Sequence, residues 1–184
     1  MKNLFKVFAL AIILAGFAAS ASAQGVTINS TASARIVQTI TMTKQYDLHF
    51  GDLAVTTLAG TCVLTAMAGP APTRTVTGGV TLPASIGTPR AAQFTVTGAE
   101  GQNYIITIPP DDLIITHETD LTKTMIVNTY TTNQTVITPG TKWRGTLTGG
   151  SSTFYVGGTC NVGANQLAGL YQNLTGFPVT VNYE

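Results

Sequence analysis

The stretch Ser152–Glu184 reads STFYVGGTCNVGANQLAGLYQNLTGFPVTVNYE, and its end decides the fold. Phe177, Val179, Val181 and Tyr183 alternate with Pro178, Thr180 and Asn182. Side chains on a strand point to opposite faces in turn, so this period of two predicts a strand over Thr175–Tyr183 with one buried face. A loop rich in Gly and Asn precedes it. Before the loop, Phe154–Val156 reads as another strand that leads into Cys160.

Working back along the chain, short segments of the same kind recur. They fall at Ala34–Thr43, Tyr46–Leu53, Thr61–Met67, Arg74–Thr77, Ala92–Val96, Tyr104–Ile108, Leu113–Ile115, Met125–Tyr130 and Trp143–Leu147. Turn residues separate them, including Pro109-Pro110-Asp111-Asp112 and Pro139-Gly140. Short strands with turn signals at close intervals predict a sandwich or small barrel. Ala92–Val96 and Tyr104–Ile108, joined through Gly98–Gly101, read as a hairpin. No segment after residue 24 keeps a helical period, apart from one turn expected near Asn165–Leu170. The expectation is therefore all-β: an Ig-like antiparallel β-sandwich of short strands, without substantial helix in the mature chain.

The N-terminus has a different character. Lys2 and Lys6 precede the apolar run Val7–Ala19, and Ala21-Ser22-Ala23 has the small-residue pattern of a cleavage site. This predicts a secretory signal peptide over residues 1–23. The apolar run is shorter than the roughly 20 residues a bilayer span requires, so no membrane span is expected after cleavage. Residues 24–184 then form one domain, exported by the general secretory route to the periplasm or cell surface. Without Lys2 and Lys6, seven basic and eight acidic side chains remain, a net charge of about −1. That balance offers no basic stripe for nucleic acid.

Few residues suggest chemistry. Cys62 and Cys160 are the only cysteines. In an oxidising compartment the expectation is a disulfide that sets their two strands side by side; the alternatives are two buried thiols or a reactive pair, although the C-x-x-C spacing and flanking cation of a redox site are missing. Asp47, His49 and Asp52 cluster, as do Asp111 and Asp112, but solvated loop side chains account for both groups. No catalytic residues, metal ligands or cofactor sites are expected. Trp143, between Lys142 and Arg144, is a candidate for stacking on a sugar if exposed; a half-buried strand residue is the plainer reading. Asn29, Asn133 and Asn173 occupy glycosylation-type sequons.

Four segments carry a family resemblance: ARIVQTITMTKQYDLHFGDL within Ala32–Leu53, TVTGGV at Thr75–Val80, AAQFTVTGAEGQNYIITIP at Ala91–Pro109, and FYVGGTCNVGANQLAGLY with GFPVTVNYE at the end. The chain resembles the bacterial secreted domain-of-unknown-function family 4402, most specifically through the run from Val156 to Gln166. A looser resemblance is to pilin subunits of the chaperone–usher kind, which have an N-terminal extension and an alternating last strand with a penultimate Tyr, here Tyr183. That resemblance implies a surface-fibre subunit that associates with itself or with other surface subunits, with a periplasmic chaperone as a further partner. The alternative is a monomeric surface or periplasmic module that binds glycan or protein.

One segment fits the assembly reading directly. Gln24–Ala32 carries Val26 and Ile28 in alternation, ahead of the first well-marked strand. It is expected to fold back on its own domain, to fray as termini often do, or to add to the last strand of a neighbour, which presents Phe177, Val179, Val181 and Tyr183.

Overall fold

The computed structural model of the chain describes residues 25–69, 72–85 and 87–184. The expected signal peptide lies outside them. The described residues contain twelve strands and no helix. They are β1 (Thr41–Tyr46), β2 (Ala54–Leu64), β3 (Arg74–Thr81), β4 (Ala92–Thr97), β5 (Asn103–Thr107), β6 (Leu113–His117), β7 (Thr124–Thr132), β8 (Thr135–Thr138), β9 (Lys142–Thr146), β10 (Ser151–Val162), β11 (Tyr171–Gln172) and β12 (Thr180–Tyr183). All pairings are antiparallel. The expected all-β, sandwich-like fold is what forms.

Strand β10 is the hub of the larger sheet. Along one side, Ser151–Val156 pairs with β4, and Gly158–Val162 pairs with β2. Along the other, Val156–Asn161 pairs with β7. The path β1-β4-β10-β7-β6-β11, with β2 added beside β10 and β3 beside β2, makes eight strands. The smaller sheet runs β12-β5-β9-β8.

Alternation builds the core. Phe154, Val156, Cys160 and Val162 of β10 are buried, as are Ala92, Phe94 and Val96 of β4 and Tyr104 and Ile106 of β5. Phe94 and Phe154 sit directly opposite each other and stack with ring centroids 5.2 Å apart. Strand β7 breaks the period: Val127 and Tyr130 are both buried, three residues apart. Thr129 has φ 51°, and the register slips between Gly157 and Thr159 of β10. A bulge of this kind inserts one extra residue and returns the next side chain to the core. The two sheets are linked by the Tyr104 hydroxyl, which donates to Ser152 Oγ at 2.9 Å.

The structure departs from the expected hairpin. β4 and β5 are neighbours in sequence but belong to different sheets. Gly98 N–H donates to Gly150 O, and Gly101 N–H to Leu147 O, so the connection is held by the β9–β10 turn and crosses between sheets. Tyr46–Leu53 also forms no full strand beyond Tyr46; the isolated bridge His49–Arg90 holds it instead. The described part of Gln24–Ala32 has no strand, and Val26, Ile28 and Ile36 are exposed.

Candidate functional site

The last strand lies at an edge. Among the described residues β12 pairs only with β5, in the register Val181↔Ile106 and Tyr183↔Tyr104. Glu184 N–H donates to Asn103 O at 3.1 Å, one step beyond the strand. Directly opposed residues alternate between hydrogen-bonded and non-bonded pairs, so Thr180 and Asn182 bond to β5. The N–H and C=O of Val181 and Tyr183 therefore point to the open edge. The expected alternation holds: Phe177, Val179, Val181 and Tyr183 are partly buried against the core, whereas Pro178, Thr180 and Asn182 are exposed. The regular strand starts only at Thr180. Before it, Asn173 Oδ1 accepts from the N–H groups of Thr175 and Gly176 and makes a turn, and Pro178 has no N–H to donate. Phe177 still packs inward, stacked on Tyr130 at 4.5 Å.

Tyr183 joins this edge to the larger sheet. Its hydroxyl donates to Gln38 O at 2.9 Å and accepts from Ala99 N–H at 2.7 Å. Gln38 lies just before β1, itself an edge strand, and Ala99 lies just after β4. A Cβ at Gly98 would stand 2.3 Å from the Tyr183 hydroxyl, so the close approach requires glycine there. On the outer side, Arg144 forms an ion pair with Glu184.

Cys62 and Cys160 are brought together, directly opposite each other on β2 and β10, as the sequence led one to expect. The expected disulfide is not formed; both are free, buried thiols. The register explains this. Thr65 N–H donates to Thr73 O across β2–β3, so the backbone of Cys62 faces β10. Cys62 and Cys160 are thus a hydrogen-bonded pair, with Cβ atoms about 5.5 Å apart, whereas a disulfide requires about 3.5–4.5 Å. Burial raises both thiols. Cys160 is pushed up to about 12, with Cys62 beside it adding to the effect; in Cys62 the Arg74 charge partly opposes the rise.

Trp143 is 2% exposed, a core residue of β9, so it is not available to stack on a sugar. Its β-strand parity turns it inward while its neighbours Lys142 and Arg144 face solvent. Asp47 pairs with Lys44, Asp52 accepts from Ser85 Oγ, and His49 Nδ1 accepts from Gly51 N–H. Asp112 accepts from Asn128 Nδ2. No group of three or more His, Cys, Asp or Glu side chains among the described residues is arranged to hold a metal ion. Of the sequon residues, Asn133 Oδ1 accepts from Tyr155 N–H, and Asn173 Nδ2 donates to Ile114 O; Asn29 is exposed.

His117 is buried at the end of β6, and the sequence offered no sign of its role. Its Nδ1 accepts from the N–H groups of Thr119 and Asp120, and its Nε2 lies 3.1 Å from Ala168 O. These contacts tie the β6–β7 turn to the segment before β11. Tyr171 packs on its ring edge.

A second surface feature was also not apparent from the sequence. Tyr46, Met67, Arg90, Gln93 and Tyr155 line a cleft of about 190 Å³ on the outer face of the larger sheet. The residues come from three strands and two loops, and no local motif connects them.

Fold and edge together define a β-sandwich-like domain with an open terminal strand. The chain belongs to the family described as domain of unknown function (DUF4402), whose sequence model matches residues 40–183. No curated protein and no solved structure matches the chain.

Proposed function

We propose that this chain is a non-enzymatic, secreted structural protein, a subunit of a surface fibre or pilus-like appendage. The observation that carries the reading is the β12 edge. It presents the unpaired backbone of Val181 and Tyr183 beside a half-buried apolar row. Edges of this kind recruit strands from other chains. A donor is at hand in the same sequence: residues 25–39 precede the matched family domain and contain no strand, and Val26 and Ile28 are exposed at alternate positions. In this reading Val26 and Ile28 of one copy pair along β12 of the next. A periplasmic chaperone would cover the same edge before assembly. The leader-like residues 1–23 support export.

The test is deletion of residues 24–33, followed by size-exclusion chromatography and electron microscopy. The truncated protein is expected to fold and to remain monomeric. Multimers formed equally well without the segment would exclude strand donation by it.

A further inference from the structure

The cleft lined by Tyr46, Arg90, Gln93 and Tyr155 has the make-up of a small-ligand site. Tyr46 and Tyr155 both stand directly opposite Gln93, one on each neighbouring strand. The three side chains therefore form one row across β1, β4 and β10. With strands about 4.8 Å apart, the two tyrosine backbones are separated by about 10 Å, with an amide between them. The Arg90 guanidinium lies 4.1 Å from the centroid of the Tyr46 ring. Its backbone is fixed by reciprocal hydrogen bonds with His49, 2.8 and 2.7 Å long. Arg90 takes part in no ion pair among the described residues. Its charge is held in place by a ring and left available on its polar edge.

We infer that this cleft binds an acidic saccharide, with a sugar ring set between the two tyrosines and its carboxylate at Arg90. A pyranose has C–H groups on its faces and hydroxyls on its rim. Tyrosine provides an apolar ring with a polar tip. Gln93 offers both a donor and an acceptor to vicinal hydroxyls. Arginine matches a carboxylate through two parallel N–H bonds. The cleft is smaller than the roughly 300–1,000 Å³ of sites that enclose drug-sized ligands, so it holds one ring and leaves the rest of a chain outside. The same sheet face continues as hydroxyl rows: Thr43, Thr95 and Thr153, then Thr41, Thr97 and Ser151. Thr41 and Thr97 share a hydrogen bond of 2.6 Å, and Thr95 and Thr153 one of 3.2 Å. A saccharide chain leaving the cleft runs along donors and acceptors already set in register.

The test uses the full mature chain and two immobilised probes, a uronic-acid oligomer and the neutral hexose oligomer of the same linkage. The uronic-acid oligomer is expected to bind at least about tenfold more tightly, and the difference to shrink as salt rises, because the Arg90 charge is partly exposed. Arg90→Gln should remove the preference, since its backbone bonds to His49 remain. Tyr155→Ala should weaken both probes at least about tenfold. Tyr46 is 46% exposed, so Tyr46→Ala provides a second ring deletion that leaves the core intact. Thermal melts report whether each variant folds. Failure of the native chain to retain the uronic-acid oligomer at millimolar concentration would overturn the inference. So would folded Arg90→Gln and Tyr46→Ala variants that bind like the native chain. Binding is read on the monomer, so the outcome is independent of whether the chain assembles into fibres.

Discussion

Cys62 and Cys160 face each other as a hydrogen-bonded pair on adjacent antiparallel strands, both buried and both free thiols. The thiolate is the reactive form, and burial holds Cys160 up to about 12 from an ordinary value of 9.0. Neither cysteine should therefore label with iodoacetamide in the folded protein at pH 8, and both should label once guanidinium is added without reductant. A protein that takes no label even when denatured would instead contain the disulfide. The shift also has a sign for stability. The folded chain holds the Cys160 proton more tightly than the unfolded chain does. Stability is complete below about pH 9 and falls as pH rises towards 12, by up to about 1.4 kcal/mol per unit. Tyr130, raised by burial from 10.0 to about 12, acts in the same direction. Urea titrations between pH 8 and 10.5 should show this slope, and a shallower one in Cys160→Ala. An unchanged slope in the variant would remove Cys160 from the account.

Tyr183 makes a separable contribution. Tyr183→Phe keeps the ring and removes the bonds to Gln38 O and Ala99 N–H. The expected loss is about 1–2 kcal/mol, the usual cost of leaving such partners unpaired. Gly98→Ala should cost more, because its Cβ would meet the Tyr183 hydroxyl at 2.3 Å and Leu147 at 3.0 Å. Combining it with Tyr183→Phe should recover part of that loss. Urea midpoints of the three variants measure it, and strictly additive losses would show that the two residues do not meet.

What the sequence revealed and what it hid follow a physical division. Alternation is local, so the inward faces of β4, β5 and β12 could be read directly, down to the exposure of Pro178, Thr180 and Asn182. The adjacency of the Cys62 and Cys160 strands was also anticipated. Sheet membership is not local. The Gly98–Gly101 link resembles a hairpin turn but crosses between sheets, because its partners, Gly150 and Leu147, lie about fifty residues later. The bulge at Thr129 depends on the long β10 opposite it. The row of Tyr46, Gln93 and Tyr155 exists only through cross-strand register, which no spacing in the chain encodes. Trp143 drew notice for its charged neighbours, yet strand parity turns it into the core.

The open edge allows a sharper test of assembly than deletion. In β12 the N–H of Asn182 points towards β5 and that of Val181 away from it, because Glu184 bonds to Asn103 and the pattern alternates. Proline has no N–H, and a position whose N–H faces an open edge tolerates it. Val181→Pro should therefore keep the β5–β12 pairing and an apolar side chain on the inner face, while removing a donor needed by an incoming strand. Asn182→Pro breaks the β5–β12 ladder itself. The expected outcome for Val181→Pro is a thermal midpoint within a few degrees of the native value, with multimer formation reduced at least about tenfold. Asn182→Pro should lower the midpoint markedly whatever its oligomeric state. Melting curves and analytical ultracentrifugation provide both readouts. If Val181→Pro folds normally and assembles as well as the native chain, the joint between subunits is not β12. Strand β8, the opposite edge of the same sheet, with Val136 and Ile137 both exposed, would then be the next edge to block.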